Sequence, residues 1–355
     1  MTVSQKLHLT SIESWLIIYP GLLVLKLVKC LSGVILRGLF GLPLAETSVE
    51  KRGFRGATDE MRARLEQVGG TFLDGYHAAL ESCTPPILAV RLNSGDAELR
   101  GFAFEGAAMG LALLDALTPW RPNRVRNFLS GAGNAHAYMV HVGVGWVWAR
   151  FPFGFRRFRR RLDPLLSWLA FDGWGFHEGF FHWPKYVAGK APPRRLAGYE
   201  RRAFDQGLGR SWWFVNGGNP GLIALTIVGL PAERRLDMWS GVGLAATYAG
   251  LASESALRDL CDLAGPSWPQ LAQGAAFAAK ARQRTGNLTP YTELAAQVLC
   301  GLSATDAARL CDTTLENLPA NSTQPAYEIW RQRIQQHFRT SQELRASQPL
   351  QQIYG

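Results

Sequence analysis

The 355-residue sequence predicts an all-α fold of tandem helical-hairpin repeats of about 34 residues, arranged as an α-solenoid or an α/α toroid. Three observations predict it. A glycine, usually preceded by a polar residue and followed by small or aromatic ones, recurs in LDGYHAAL, FEGAAMGL, HVGVGWVW, HEGFFHWP, DQGLGRSW, WSGVGLAA and AQGAAFAA. These glycines (Gly75, Gly106, Gly143, Gly179, Gly207, Gly241 and Gly274) stand 28 to 37 residues apart, the length of a helix–turn–helix unit that must stack on its neighbours to bury its apolar face. Few segments alternate polar and apolar residues as strands do. Hydrophobic residues at 47% and charged residues at 19% supply a large core and exclude a disordered tail protein.

In chain order, residues 1–45 read as an amphipathic amino-terminal segment. The apolar run from Trp15 to Leu25 spans eleven residues and contains Pro20, short of the roughly 20 a spanning helix needs. Lys26, Lys29 and Arg37 follow that run instead of preceding it, unlike a secretory signal. From Leu22 to Phe40 polar positions recur at helical spacing, as in a helix that lies on a membrane surface or packs on protein. Residues 46–320 form the repeat domain, with partner helices expected at Asp59 to Val68, Asp163 to Phe171, Gly221 to Leu230 and Glu254 to Ala264. Residues 321–355 read as a carboxy-terminal helix and tail. The five cysteines are widely spaced without a CxxC pair, which fits a reducing cytoplasm, with peripheral attachment to the inner membrane face as a further expectation.

Glycine inside a helix costs about 1 kcal/mol relative to alanine, so its recurrence points to close helix approach. The residue before each motif glycine is Asp74, Glu105, Val142, Glu178, Gln206, Ser240 and Gln273, and the residue two before is Leu73, Phe104, His141, His177, Asp205, Trp239 and Ala272. Three consecutive repeats thus offer His141, His177 and Asp205 at equivalent places, by type a set that holds non-haem iron; that is the alternative to a site without cofactor. His177 and His182 are five apart, so the HExxH zinc motif is absent, whereas Glu178 and His182 are four apart and share a helix face as an acid–base pair. A carboxyl kept protonated among aromatic rings, Asp205, Glu105 or Glu178, could protonate an alkene. Trp146, Phe181, Trp212, Trp213 and Trp239, with Gln206 and Arg210, are the candidate walls for a flat unsaturated or isoprenoid chain.

The net charge of +10 favours an acidic partner, and FGFRRFRRRLD concentrates five arginines between Arg156 and Arg161. No zinc-finger or RNA-binding pattern accompanies them, which ranks nucleic acid below a membrane surface, a carrier protein or phosphate. Neither a P-loop nor a GxGxxG turn occurs.

The blocks RGFAFEGAAMGLALLD, DGWGFHEGFFH, RRAFDQGLGRSWWF and DMWSGVGLAATYAG resemble the domain of unknown function 1702 family, similar to a conserved protein of enediyne antibiotic gene clusters, over roughly residues 40 to 310. The resemblance implies bacterial specialised metabolism and a linear polyene or similarly lipophilic intermediate, and it carries no catalytic residues with it. The reading that follows is a natural-product enzyme, a cyclase or isomerase that performs acid–base chemistry on an unsaturated chain, free or carrier-bound. The alternatives are a non-catalytic repeat protein that holds a carrier-bound intermediate, and a metal-dependent oxidative enzyme.

Overall fold

The computed structural model describes residues 33–82, 84–120, 123–319 and 322–347, and every element among them is helical, with no strand. The apolar run at Trp15 to Leu25 lies outside the described residues. Nine long helices carry the architecture: α1 (Asp59–Glu81), α2 (Arg100–Leu117), α3 (Ala137–Arg150), α4 (Leu169–Val187), α5 (Tyr199–Val215), α6 (Ala232–Ala249), α7 (Trp268–Arg284), α8 (Ala304–Leu315) and α9 (Ala326–Ser347). Each of α1 to α8 packs on the next in chain order, and α9 packs on α7 and α8. Shorter helices return the chain between them, and three of these, Pro220–Val228, Glu254–Ala264 and Pro290–Cys300, pack in succession, with Glu254–Ala264 in the middle. Local signals set the starts: Thr58, Asn219, Ser253, Thr289 and Ser303 each cap a helix by accepting a backbone N–H, and Pro220 and Pro290 stand where no intrahelical donor is needed.

Two of the expected partner helices take other bounds. Asp59 to Val68 is the first half of α1, which also contains Gly75, and Asp163 to Phe171 is divided between a 3-10 turn at Leu166–Trp168 and the start of α4.

The glycines sit where successive long helices cross. A Cβ at Gly143 would overlap the carbonyl of Glu105 in the preceding helix, and one at Gly145 the carbonyl of Ala170 in the following helix. The pairs Gly173 and Gly175, Gly207 and Gly209, and Gly241 and Gly243 repeat this pattern, so in each G-x-G one glycine admits the helix before and the other the helix after. In α4 the crossing glycine is therefore Gly173, against Val142, whereas Gly179 lies against Ser211. The corrected residue before the glycine is Asp172, and the residue two before is Phe171, which takes His177 and Glu178 out of their columns.

The corrected polar column forms bonds along the row. Gln206 Nε2 donates to Asp172 Oδ2 at 2.8 Å, and Ser240 Oγ donates to Gln273 Oε1 at 2.9 Å. Helix α9 completes it: Arg331, fully buried, donates to Gln273 Oε1 at 3.1 Å, Asp237 Oδ1 at 2.9 Å and Glu328 Oε2 at 3.1 Å. Arg202 joins the same Asp237 and Glu328. Unpaired buried polar groups would cost about 1 to 3 kcal/mol each, so α9 is an integral part of the core, where Tyr327, Trp330, Ile334 and Phe338 are also buried.

Candidate functional site

Beneath residues 42–47, helices α1 to α5 enclose an apolar cavity of about 50 Å³. Helix α1 supplies Val68, Gly69, Phe72 and Leu73, and α4 supplies Phe176, Phe180 and Phe181. Phe102 and Glu105 come from α2, Trp146 from α3, and Arg210 and Phe214 from α5. Leu42, Glu46 and Thr47 close the remaining wall. Leu42, Glu46, Gly69 and Phe181 are half-buried and form the rim, whereas Glu105 and Arg210 are buried at the floor.

Glu105 is 2% exposed and accepts a hydrogen bond from Trp146 Nε1 at 3.0 Å. Burial pushes its carboxyl up to about 7; the Arg210 charge and the Trp146 bond pull it back, and Asp172 pushes it further up. Arg210 does not offset the burial because it is already matched: it forms an ion pair with Asp172, and its guanidinium lies 4.8 Å from the centre of the Phe176 ring. A second carboxylate beside a balanced pair gains little from it. The floor therefore holds a carboxyl that is about half protonated near neutral pH, with a hydrogen-bond donor in place to receive its charge when the proton leaves.

Of the residues expected from the sequence, Glu105, Trp146, Phe181 and Arg210 meet at this cavity. Glu178 and His182 meet elsewhere. Glu178 Oε2 accepts from Tyr186 OH at 2.9 Å and lies 3.5 Å from His182 Nδ1 and 3.7 Å from Lys190 Nζ. The pair forms although His182 breaks the helix (φ −130°, ψ 23°), two residues before Pro184, whose ring cannot continue the hydrogen-bond ladder. His177 stands between the two groups, its ring 5.5 Å from Trp146 and 4.8 Å from Phe181.

The proposed iron set does not converge. His141 Nδ1 bonds the Ala137 carbonyl one turn back at 2.6 Å, and burial holds its pKa below 6.5. His177 accepts from Arg150, and both oxygens of Asp205 are taken by Arg234, at 3.0 and 2.6 Å. Among the described residues no group of three or more His, Cys, Asp or Glu side chains is placed to hold a metal. Trp212 and Trp213 are fully buried and Trp239 nearly so; these are core residues outside the cavity walls, and Gln206 belongs to the polar column. Asp205 also reads differently in place. Burial pushes its carboxyl up to about 6 while Arg234 pulls it down, and removing that charge leaves a buried guanidinium without its partner.

Sequence reasoning missed Asp172, Arg150 and the α1 walls. A consistent G-x-G register would have placed Asp172 in the polar column; Val68 and Phe72 carry no signal apart from helical apolar periodicity.

Residues 31–338 match the model of the family described as Protein of unknown function (DUF1702), and the chain belongs to that family. The match extends through most of α9, beyond the roughly residue 310 at which the sequence blocks stop. No curated protein and no solved structure matches the chain.

Proposed function

We propose that this member of the DUF1702 family is an enzyme that isomerises or cyclises a lipophilic unsaturated chain, with Glu105 as the acid and base. The observation that carries the reading is a buried carboxyl, raised to about 7, at the floor of a cavity whose other walls are almost wholly aliphatic and aromatic. In the forward step Glu105 gives its proton to an alkene carbon. The resulting cation lies among Phe72, Trp146, Phe176 and Phe214, whose faces favour positive charge. The Glu105 carboxylate, held by Trp146 and by the Arg210 charge, then takes a proton from a neighbouring carbon. Protons and electrons balance without an oxidant or reductant. The resemblance of the sequence blocks to a protein of enediyne gene clusters favours a linear polyene as the chain.

The 50 Å³ cavity is small beside the roughly 300 to 1,000 Å³ of sites for drug-sized ligands. A long chain therefore enters as residues 42–47 move away from α1 and α4. On the same reading α1 to α7 are tandem units built on one glycine-crossing motif. Val34, Ile35 and Leu39, each more than 60% exposed on the helix at 33–40, suit contact with a membrane surface. No helix among the described residues is long and apolar enough to cross a membrane.

The test is mass spectrometry of metabolites from a producing strain that lacks the gene, complemented with the natural protein or with Glu105→Gln. Glu105→Gln is expected to accumulate the same compound as the deletion. Full product formation by a folded Glu105→Gln protein would remove the acid–base role and favour a protein that only holds the intermediate.

A further inference from the structure

We propose that the rim of the cavity is a binding site for an anionic head group, a carboxylate or a phosphate, so that the chain taken is an amphipathic acid whose tail runs down to Glu105. The inference rests on the cavity being a chain-binding site, as in the reading above, and adds the substrate class. It is carried by the cations gathered on one ring of the rim. Phe181 is half-buried and lines the cavity, and two guanidinium groups lie against it: Arg52 at 5.0 Å and Arg150 at 5.4 Å from the ring centre. Lys51 and Arg52 both pair with Glu46, the rim carboxylate. Arg150 lies near enough to act on Glu46 but forms no ion pair of its own among the described residues. Three cations thus face one carboxylate, an excess of positive charge at the mouth of an otherwise apolar space.

Arg150 has the geometry of a receptor rather than of a structural contact. Its Nε donates to His177 Nε2 at 3.2 Å, which requires the imidazole proton to sit on Nδ1. Burial, and then the Arg150 charge, hold His177 well below its ordinary pKa, so it is a neutral acceptor that fixes the guanidinium without neutralising it. The two terminal nitrogens of Arg150 have no hydrogen bond to the protein among the described residues, and the residue is exposed. A planar fork held at Nε with both ends free matches the two oxygens of a carboxylate or phosphate. Arg52 is held in turn, its carbonyl accepting from Trp183 Nε1 at 2.9 Å. From this rim side chains in contact lead inward. The Trp146 ring centre lies 6.1 Å from that of Phe181, and Trp146 Nε1 bonds Glu105.

The test is a fluorescence titration of the full-length protein with cis-parinaric acid, a conjugated polyene acid that brightens on leaving water, and with its methyl ester. The acid is expected to bind at least about tenfold more tightly than the ester, the scale of one charge-assisted bidentate contact. Arg150→Gln is expected to remove that difference by weakening the acid and leaving the ester unchanged. Displacement by decanoate and by decyl phosphate, with decanol as the neutral control, then separates the two head groups: the stronger competitor identifies the group taken. Equal binding of acid and ester, or an unchanged acid affinity in Arg150→Gln, would overturn the head-group site and leave the cavity reading intact. Binding of neither probe would overturn both. Preference for the acid together with full product formation by Glu105→Gln would keep this site and remove the acid–base role alone.

Discussion

Glu105→Gln is expected to be more stable than the natural protein at pH 8 and equally stable at pH 4, while losing turnover. The carboxyl titrates near 4.5 in the unfolded chain and near 7 in the folded one because burial disfavours its charge. The folded state is then at full stability below pH 4.5 and loses stability as pH rises from there to 7. Above 7 the deficit is constant at about 3 kcal/mol. Glutamine cannot ionise, yet its amide oxygen still accepts from Trp146 Nε1, so the variant escapes the loss. Its melting temperature should exceed that of the natural protein by about 3 to 6 °C at pH 8, with the difference closing as pH falls. A cost in stability of that size at one buried carboxyl is what the proposed acid–base role would account for. A variant less stable at every pH would indicate that Glu105 is a structural hydrogen-bond acceptor.

Gly207→Ala is expected to destabilise the fold by at least about 4 kcal/mol, read as loss of soluble protein or as a collapsed denaturation midpoint. The added Cβ would overlap the backbone of Asp172 in the neighbouring helix, and neither backbone can yield without parting α4 from α5. That crossing also carries Gln206 on Asp172 and Arg210 on Asp172, so separation would strand buried polar groups as well. Gly70→Ala, in the middle of α1, is the control: its Cβ would meet only Leu44 at an ordinary 3.5 Å, and removing glycine's backbone freedom should stabilise by about 0.5 to 1 kcal/mol. Opposite signs for one substitution in two helices would locate the tight crossings at the G-x-G sites.

Helix content and most of the tight helix crossings were legible because a crossing that close demands glycine and nothing else fits. The register failed in α4, where DGWGFHEGF offers Gly173, Gly175 and Gly179, two of them behind an acid. Choosing Gly179 put His177 in line with His141 and Asp205 and created a metal set that the packing does not form. Glu178 and His182 met as expected because four residues make one turn of helix, a local rule that survives even the break at His182. The sequence shows α9 as a carboxy-terminal helix but not its place in the core, because its inner face carries Glu328, Arg331 and Gln335. Such residues ordinarily face water, and only the polar column across the row gives them buried partners. Glu105 was one of three carboxyl candidates. What separates it from Asp205, with an arginine on both oxygens, and from the half-buried Glu178 is its surroundings. Those come from α1 and residues 42–47, distant in sequence and silent as motifs.

The central claim, that Glu105 keeps its proton up to about neutral pH, is tested most directly by carbon NMR of protein labelled at the glutamate carboxyls, with Glu105→Gln to assign the resonance. The account predicts one carboxyl that titrates near pH 7 and is missing from the variant. Titration of every glutamate below about pH 5 would contradict it.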